Sequence, residues 1–269
     1  MNRGFAIVAG SLVFAMAVAC QPRGPAGPTS NSAEAASAGT GEVEITKQGG
    51  EICIRSNGIP EHAIGQFPNR GNPHRVRAQR VDVCVPADPR KNSRAQSIRG
   101  SIGIAINGVT IRPGTADFYD PSSRRGFSRD RSSGWNLEGM GAAELLGLDQ
   151  NNAHVDRRGL YHYHGSPTGL LPDLPDSMMG WAADGFELHI APSGTSSSWR
   201  LKPGERPTPP YGRYDGTYVE DWEFAAGSGT LDECNGGMLN GRFVYFVTPT
   251  YPFYPRCLWG TPSRDFGRP

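Results

Sequence analysis

"LDQNNAHVDRRGLYHYHGSP", residues 148–167, aligns with "LDECNGGMLNGRFVYFVTP", residues 231–249, after a single-residue gap. Asp149 meets Asp232, Asn152 meets Asn235, Gly159 meets Gly241, Tyr163 meets Tyr245 and Pro167 meets Pro249. Each copy reads as a polar turn leading into a strand, because side chains two apart share one face of an extended chain. Two such turn-strand units predict a pseudo-symmetric β core.

The rest of the chain agrees with a mostly β fold. Gly (36) and Pro (23) make up nearly a quarter of 269 residues, a composition that disfavours long helices and suits short strands joined by turns. "EICIRSNGIP" and "VDVCVP" alternate apolar and polar residues, as do "GFELHIA" and "GRFVYFVTP". "SIGIAINGVTI" carries Asn107-Gly108, the signature of a two-residue hairpin turn. The one good helical stretch is "GMGAAELLGL" (139–148), with Gly147 as its stop. Residues 203–216, rich in Pro and Gly, read as loop. The expectation is a single β-rich domain with few short helices and many loops, over residues 46–269.

Residues 1–19 read as a signal peptide: Arg3, an apolar run from Phe5 to about Val18, then small residues. Ala17-Val18-Ala19 fits an ordinary cleavage site, and Cys20 directly after it resembles a lipoprotein box, although Ala17 stands where a Leu is usual. Lipidation at Cys20 would anchor the chain at the membrane of a bacterial cell envelope, facing the periplasm or exterior; simple secretion is the alternative. Residues 20–45 contain almost no bulky apolar side chain and read as a flexible tether. With 27 basic against 26 acidic side chains, the net charge makes no case for nucleic acid.

Four cysteines remain, Cys53, Cys84, Cys234 and Cys257, an even number that in an exported protein implies two disulfides. Three connectivities are open. Cys53–Cys84 and Cys234–Cys257 are favoured, since each pair brackets a local segment. No C-x-x-C spacing points to a zinc cluster.

The chemistry-bearing residues sit in the first copy. His162 and His164, two apart on a strand, share a face roughly 6.6 Å apart, and an ion bound about 2 Å from each ring nitrogen fits between them. Tyr161 and Tyr163 then point into the core. His154, in the preceding turn, is the nearest third ligand, and Asp184 in "GWAADGF" the best carboxylate; Asp156, Asp232, His62 and His189 stand in reserve. Such a donor set suits zinc or copper and not calcium, and the expectation is a metal carrier or a metal-dependent hydrolase. Against this, the second copy has Val244 and Phe246 in place of the two histidines, which allows a purely structural role, with hydrogen bonds to carbonyls and to acids such as Asp184. No G-x-S-x-G elbow, phosphate loop or dinucleotide motif is present, so the sequence names no catalytic residue. The acids and aromatics of "YDGTYVEDWEF" and the five Trp residues leave a surface module for a glycan or protein partner as the rival reading.

The chain resembles the YHYH-domain family, whose tetrapeptide stands at Tyr161–His164. The resemblance runs through "SNGIPEHAIGQFPNRGNP" (56–73), "IAINGVTIRPG" (104–114), "NNAHVDRRGLYHYHGSPTGLL" (151–171), "GWAADGFEL" (180–188), "YDGTYVEDWEF" (214–224) and "YPFYPRCLWGTP" (251–262). It implies a secreted or surface-anchored protein and supplies no reaction. Many members carry a second Tyr-x-Tyr-His-like strand; here that strand reads "RFVYFV".

Overall fold

In a computed structural model of the chain, Met1 and residues 40–267 are described. The signal peptide, Cys20 and all of the tether up to residue 39 lie outside the described residues. The first strand, Val43–Gln48, begins inside the stretch read as tether, because its backbone pairs antiparallel with Glu51–Ser56 although all six of its side chains are exposed.

The centre is an eight-stranded sheet. Its strands run Ala153–Val155, Tyr161–Tyr163, Thr110–Ile111, Gly103–Ala105, Met178–Ala182, Glu187–Ile190, Arg242–Val247 and Gly236–Leu239. The order reads the same from both edges. Each half has an outer hairpin whose inner strand runs parallel to one strand of a second hairpin: Tyr161–Tyr163 beside Thr110–Ile111, and Arg242–Val247 beside Glu187–Ile190. Gly103–Ala105 and Met178–Ala182 meet antiparallel at the centre. The duplication thus embraces four strands per half, more than the turn-strand unit expected.

Matching turns repeat bond for bond. Asn152 N–H donates to Asp149 O at 3.0 Å, and Asn235 N–H to Asp232 O at 2.9 Å. His164 N–H donates to Asn152 O at 2.8 Å, and Phe246 N–H to Asn235 O at 2.8 Å. Both asparagines sit at positive φ (55° and 59°), a conformation their short polar side chains tolerate. The inner hairpins repeat as well: Gly108 N–H donates to Ala105 O and Gly185 N–H to Ala182 O, both at 2.9 Å. Here the two-residue turn expected at Asn107-Gly108 is corrected. Of those two only Gly108 has positive φ, and the loop is a three-residue turn closed by a left-handed glycine.

Alternation decides the layers. Val81, Val83 and Val85 of the Val81–Pro86 strand are buried and join Ile54 in one core cluster with Ile111, Tyr161, Tyr163, Leu188 and Tyr245, which the strand registers place on one face of the large sheet. Fully burying each such side chain contributes about 1.5–3 kcal/mol. Cys53 stands opposite Cys84 in register, and the two are bonded; Cys234 is bonded to Cys257. The helix is shorter than expected, Ala143–Leu146, and stops at Gly147 in left-handed geometry. Among the described residues no helix is long and apolar enough to cross a membrane.

Candidate metal centre

His154 and His162 are direct partners in the register of the outer hairpin of the first half. One residue past the strand, His164 continues on the same face. Tyr161 and Tyr163 point the other way and are fully buried in the main core. The three imidazoles form a nearly equilateral triangle, with ring centroids 4.7, 4.7 and 4.9 Å apart. Their ligand nitrogens all lie within 4.8 Å of one another, and Nε2 of His154 and His164 are 3.1 Å apart. Two nitrogens bound tetrahedrally to one zinc sit about 3.3 Å apart, from bond lengths near 2.0–2.1 Å.

The outer nitrogens are anchored. His154 Nδ1 is 2.9 Å from Leu146 O and His162 Nδ1 is 3.1 Å from Leu160 O. Each can only donate to a carbonyl, which leaves the Nε2 lone pair free, the arrangement that orients imidazole ligands around metals. His164 Nδ1 is buried without a hydrogen-bond partner, as is Oγ1 of Thr110, the residue beside His162 in the parallel register. Two of four such atoms among the described side chains therefore lie at this cluster. Gly139 makes room for the third ring: a Cβ there would lie 2.4 Å from His164 Nδ1. Burial pushes the pKa of His162 and His164 well below 6.5, with His154 and nearby arginines adding to it, and burial lowers that of His154. All three are neutral donors, and the group can hold a metal ion.

The triangle is open on one side. A cleft of about 820 Å³ reaches all three imidazoles and is lined by His74, Arg112, Asp117, Asp156 and Arg256 among others. Arg112 Nη1 donates to Asp156 at 2.9 Å, and Arg256 Nη2 to the fully buried Glu138 at 2.5 Å. Neither His74 nor the two arginines is legible as a site residue in the sequence. They come from separate loops and strand ends, and no spacing marks them.

The structure does not bring Asp184 to the histidines. Its Oδ2 accepts from Tyr245 Oη at 2.7 Å and Gly260 N–H at 2.8 Å in the second half of the sheet. The repeat explains why: Asp184 takes the place of Asn107, whose amide donates to Tyr163 Oη at 2.9 Å in the first half. The reserve residues also scatter. His62 bonds Tyr163 Oη at 2.6 Å, Asp232 accepts from Trp259 Nε1 at 2.8 Å, and His189 sits between Glu187 and Ser177. Asp156 alone of these lines the cleft, paired to Arg112.

Part of "YDGTYVEDWEF" faces inward. Asp221 is fully buried and takes two bonds from Arg206, 2.8 and 2.6 Å, which the 203–216 loop carries inward. Trp222 stacks on Tyr251 at 4.6 Å, and Trp135 is buried, so these rings spend their faces on the protein itself.

The model of the family described as YHYH protein matches residues 82–260. The chain belongs to that family. The matched span contains the whole eight-stranded sheet, the histidine triangle and the Cys234–Cys257 bond, and begins after the first two strands. No curated protein and no solved structure matches the chain.

Proposed function

We propose that this YHYH protein binds one zinc or copper ion through His154, His162 and His164, and acts on a ligand in the cleft above them as a metal-dependent hydrolase. The observation that carries the reading is the convergence of three neutral imidazoles, two of them anchored to carbonyls, at the floor of a cleft, with no fourth donor among the described residues. Three nitrogen ligands and an open position are the pattern of catalytic, not structural, zinc. A carrier of the ion alone has no use for a cleft of about 820 Å³. When bound, such an ion supplies Lewis acidity and a more acidic water. The protein's part is to fix the rings through Leu146 O and Leu160 O, and to set Arg112 and Arg256 beside them.

Two disulfides support an oxidising compartment, so the working place is read as the bacterial cell envelope, with the chain held to the membrane by a lipid on Cys20. Metal analysis of tag-free protein purified without chelators tests the centre: close to one ion per chain is expected, and none in the His162→Ala/His164→Ala variant. A wild-type protein that stays free of zinc and copper after loading would overturn the proposal. Radiolabelled lipid incorporation, lost in Cys20→Ser, tests the anchor.

A further inference from the structure

The cleft is far more basic than the chain. Eight arginines and only two aspartates line it, in a protein with 27 basic and 26 acidic side chains. That excess is a poor environment for a lone cation, because like charges raise the cost of bringing one in. It suits an ion that works together with an anionic ligand. We propose that the cleft binds a phosphoryl group, the dianion of a small phosphate ester, against Arg112 and Arg256 and over the three histidines. The proposal rests on the metal reading only in placing that group beside the ion; the arginines bind it with or without metal.

Two arginines form the inner clamp. Arg112 is fixed by Ser101 Oγ at 3.0 Å and Asp156 at 2.9 Å, which leaves its Nη2 uncommitted. Arg256 is held by Pro252 O, Pro113 O and Glu138, with its guanidinium 4.9 Å from the Tyr251 ring. Both are pre-organised, so little side-chain entropy is lost when an oxyanion arrives. Further out, Arg99, Arg129, Arg157 and Arg158 line the cleft, are exposed, and form no ion pair among the described residues. No lysine lines the cleft, and the planar guanidinium fork is the group that matches oxyanion geometry in pairs of bonds. A carboxylate carries one charge and takes one fork, whereas a phosphoryl dianion carries two charges and three free oxygens and so gains more from several guanidinium groups around one cleft.

Calorimetric titration of inorganic phosphate into metal-free, chelator-treated protein at low salt tests the proposal. Phosphate is expected to bind, acetate about tenfold more weakly, and added salt to weaken both. Arg112→Gln should weaken phosphate about tenfold or more. Because that change also strips Asp156 of its partner, the exposed pair Arg129→Gln/Arg157→Gln provides a second variant that leaves the fold untouched and should weaken phosphate several-fold. The His162→Ala/His164→Ala protein should lose the metal and keep phosphate binding, which separates this proposal from the metal reading. Absence of phosphate binding, equal binding of acetate, or unchanged affinity in both arginine variants would each overturn it.

Discussion

The two halves of the central sheet share their turns, their hairpins and their strand order, and differ in what they hold on one face. In the second half Val244 and Phe246 pack with Leu231 into a small apolar cluster. In the first half His162 and His164 occupy the equivalent positions, joined by His154 across the hairpin. The scaffold therefore does not require polar groups there; an apolar filling is the solution that the same chain adopts 82 residues further on. Buried imidazoles, one with an unpartnered nitrogen, cost more stability than the apolar filling, and the three-histidine group can hold a metal ion. The halves also brace their turns differently. Cys234 is bonded to Cys257, whereas Asn151, its counterpart, ties the first turn by donating to Ala63 O at 2.8 Å and accepting from Gly169 N–H at 2.7 Å.

The sharpest way to break this comparison is to make the halves alike. His162→Val/His164→Phe should abolish metal binding entirely while the near-ultraviolet circular dichroism stays native; retained metal would mean that other residues hold it. Next in size is the brace. Removing the second-half disulfide with Cys234→Ala/Cys257→Ala should cost about 3 kcal/mol in chemical denaturation, against about 1–2 kcal/mol for Asn151→Ala in the first half.

Asp184→Asn copies Asn107 into the second half. It leaves Gly260 N–H without its acceptor, so a loss of about 1–3 kcal/mol is expected with metal content unchanged. Its pH dependence has a definite sign. Burial holds the Asp184 carboxyl above its ordinary 3.8, so the native state keeps this proton more tightly than the unfolded chain does. Stability from this group is full below 3.8 and declines as pH rises through the elevated native value. The gap between wild type and Asp184→Asn should narrow over that window, and denaturation curves at successive pH values will read it. Smallest is Gly139→Ala, which presses on the His164 ring and should weaken metal about tenfold at a stability cost of about 1 kcal/mol, measured by competition with a coloured chelator.

Much of this could be read from the chain. The repeat announced a symmetric β core, alternation placed Tyr161 and Tyr163 inward, and both disulfides follow the local pairing. His154 was reachable because a hairpin turn folds it back onto His162. Asp184 sits away from the histidines for a reason that the repeat itself contains: Asp184-Gly185 is the counterpart of Asn107-Gly108, and the correspondence of those two turns pairs it with Tyr245. The arginine cleft was hidden by distance in sequence. Arg99, Arg112, Arg157 and Arg256 are brought together only by long-range pairing, and a nearly neutral composition conceals a local excess of one sign.

The entry of the chain into the domain has a mechanical consequence. Val43–Gln48 is an exposed ribbon that, among the described residues, pairs with a single strand, and that neighbour is cross-linked through Cys53 to Cys84. A pull on the chain ahead of Val43 can peel the ribbon away pair by pair, but the covalent bridge arrests the tear at Cys53. The load then passes through the bridge into the Val81–Pro86 strand, and the strand pairs beyond Cys53 are spared.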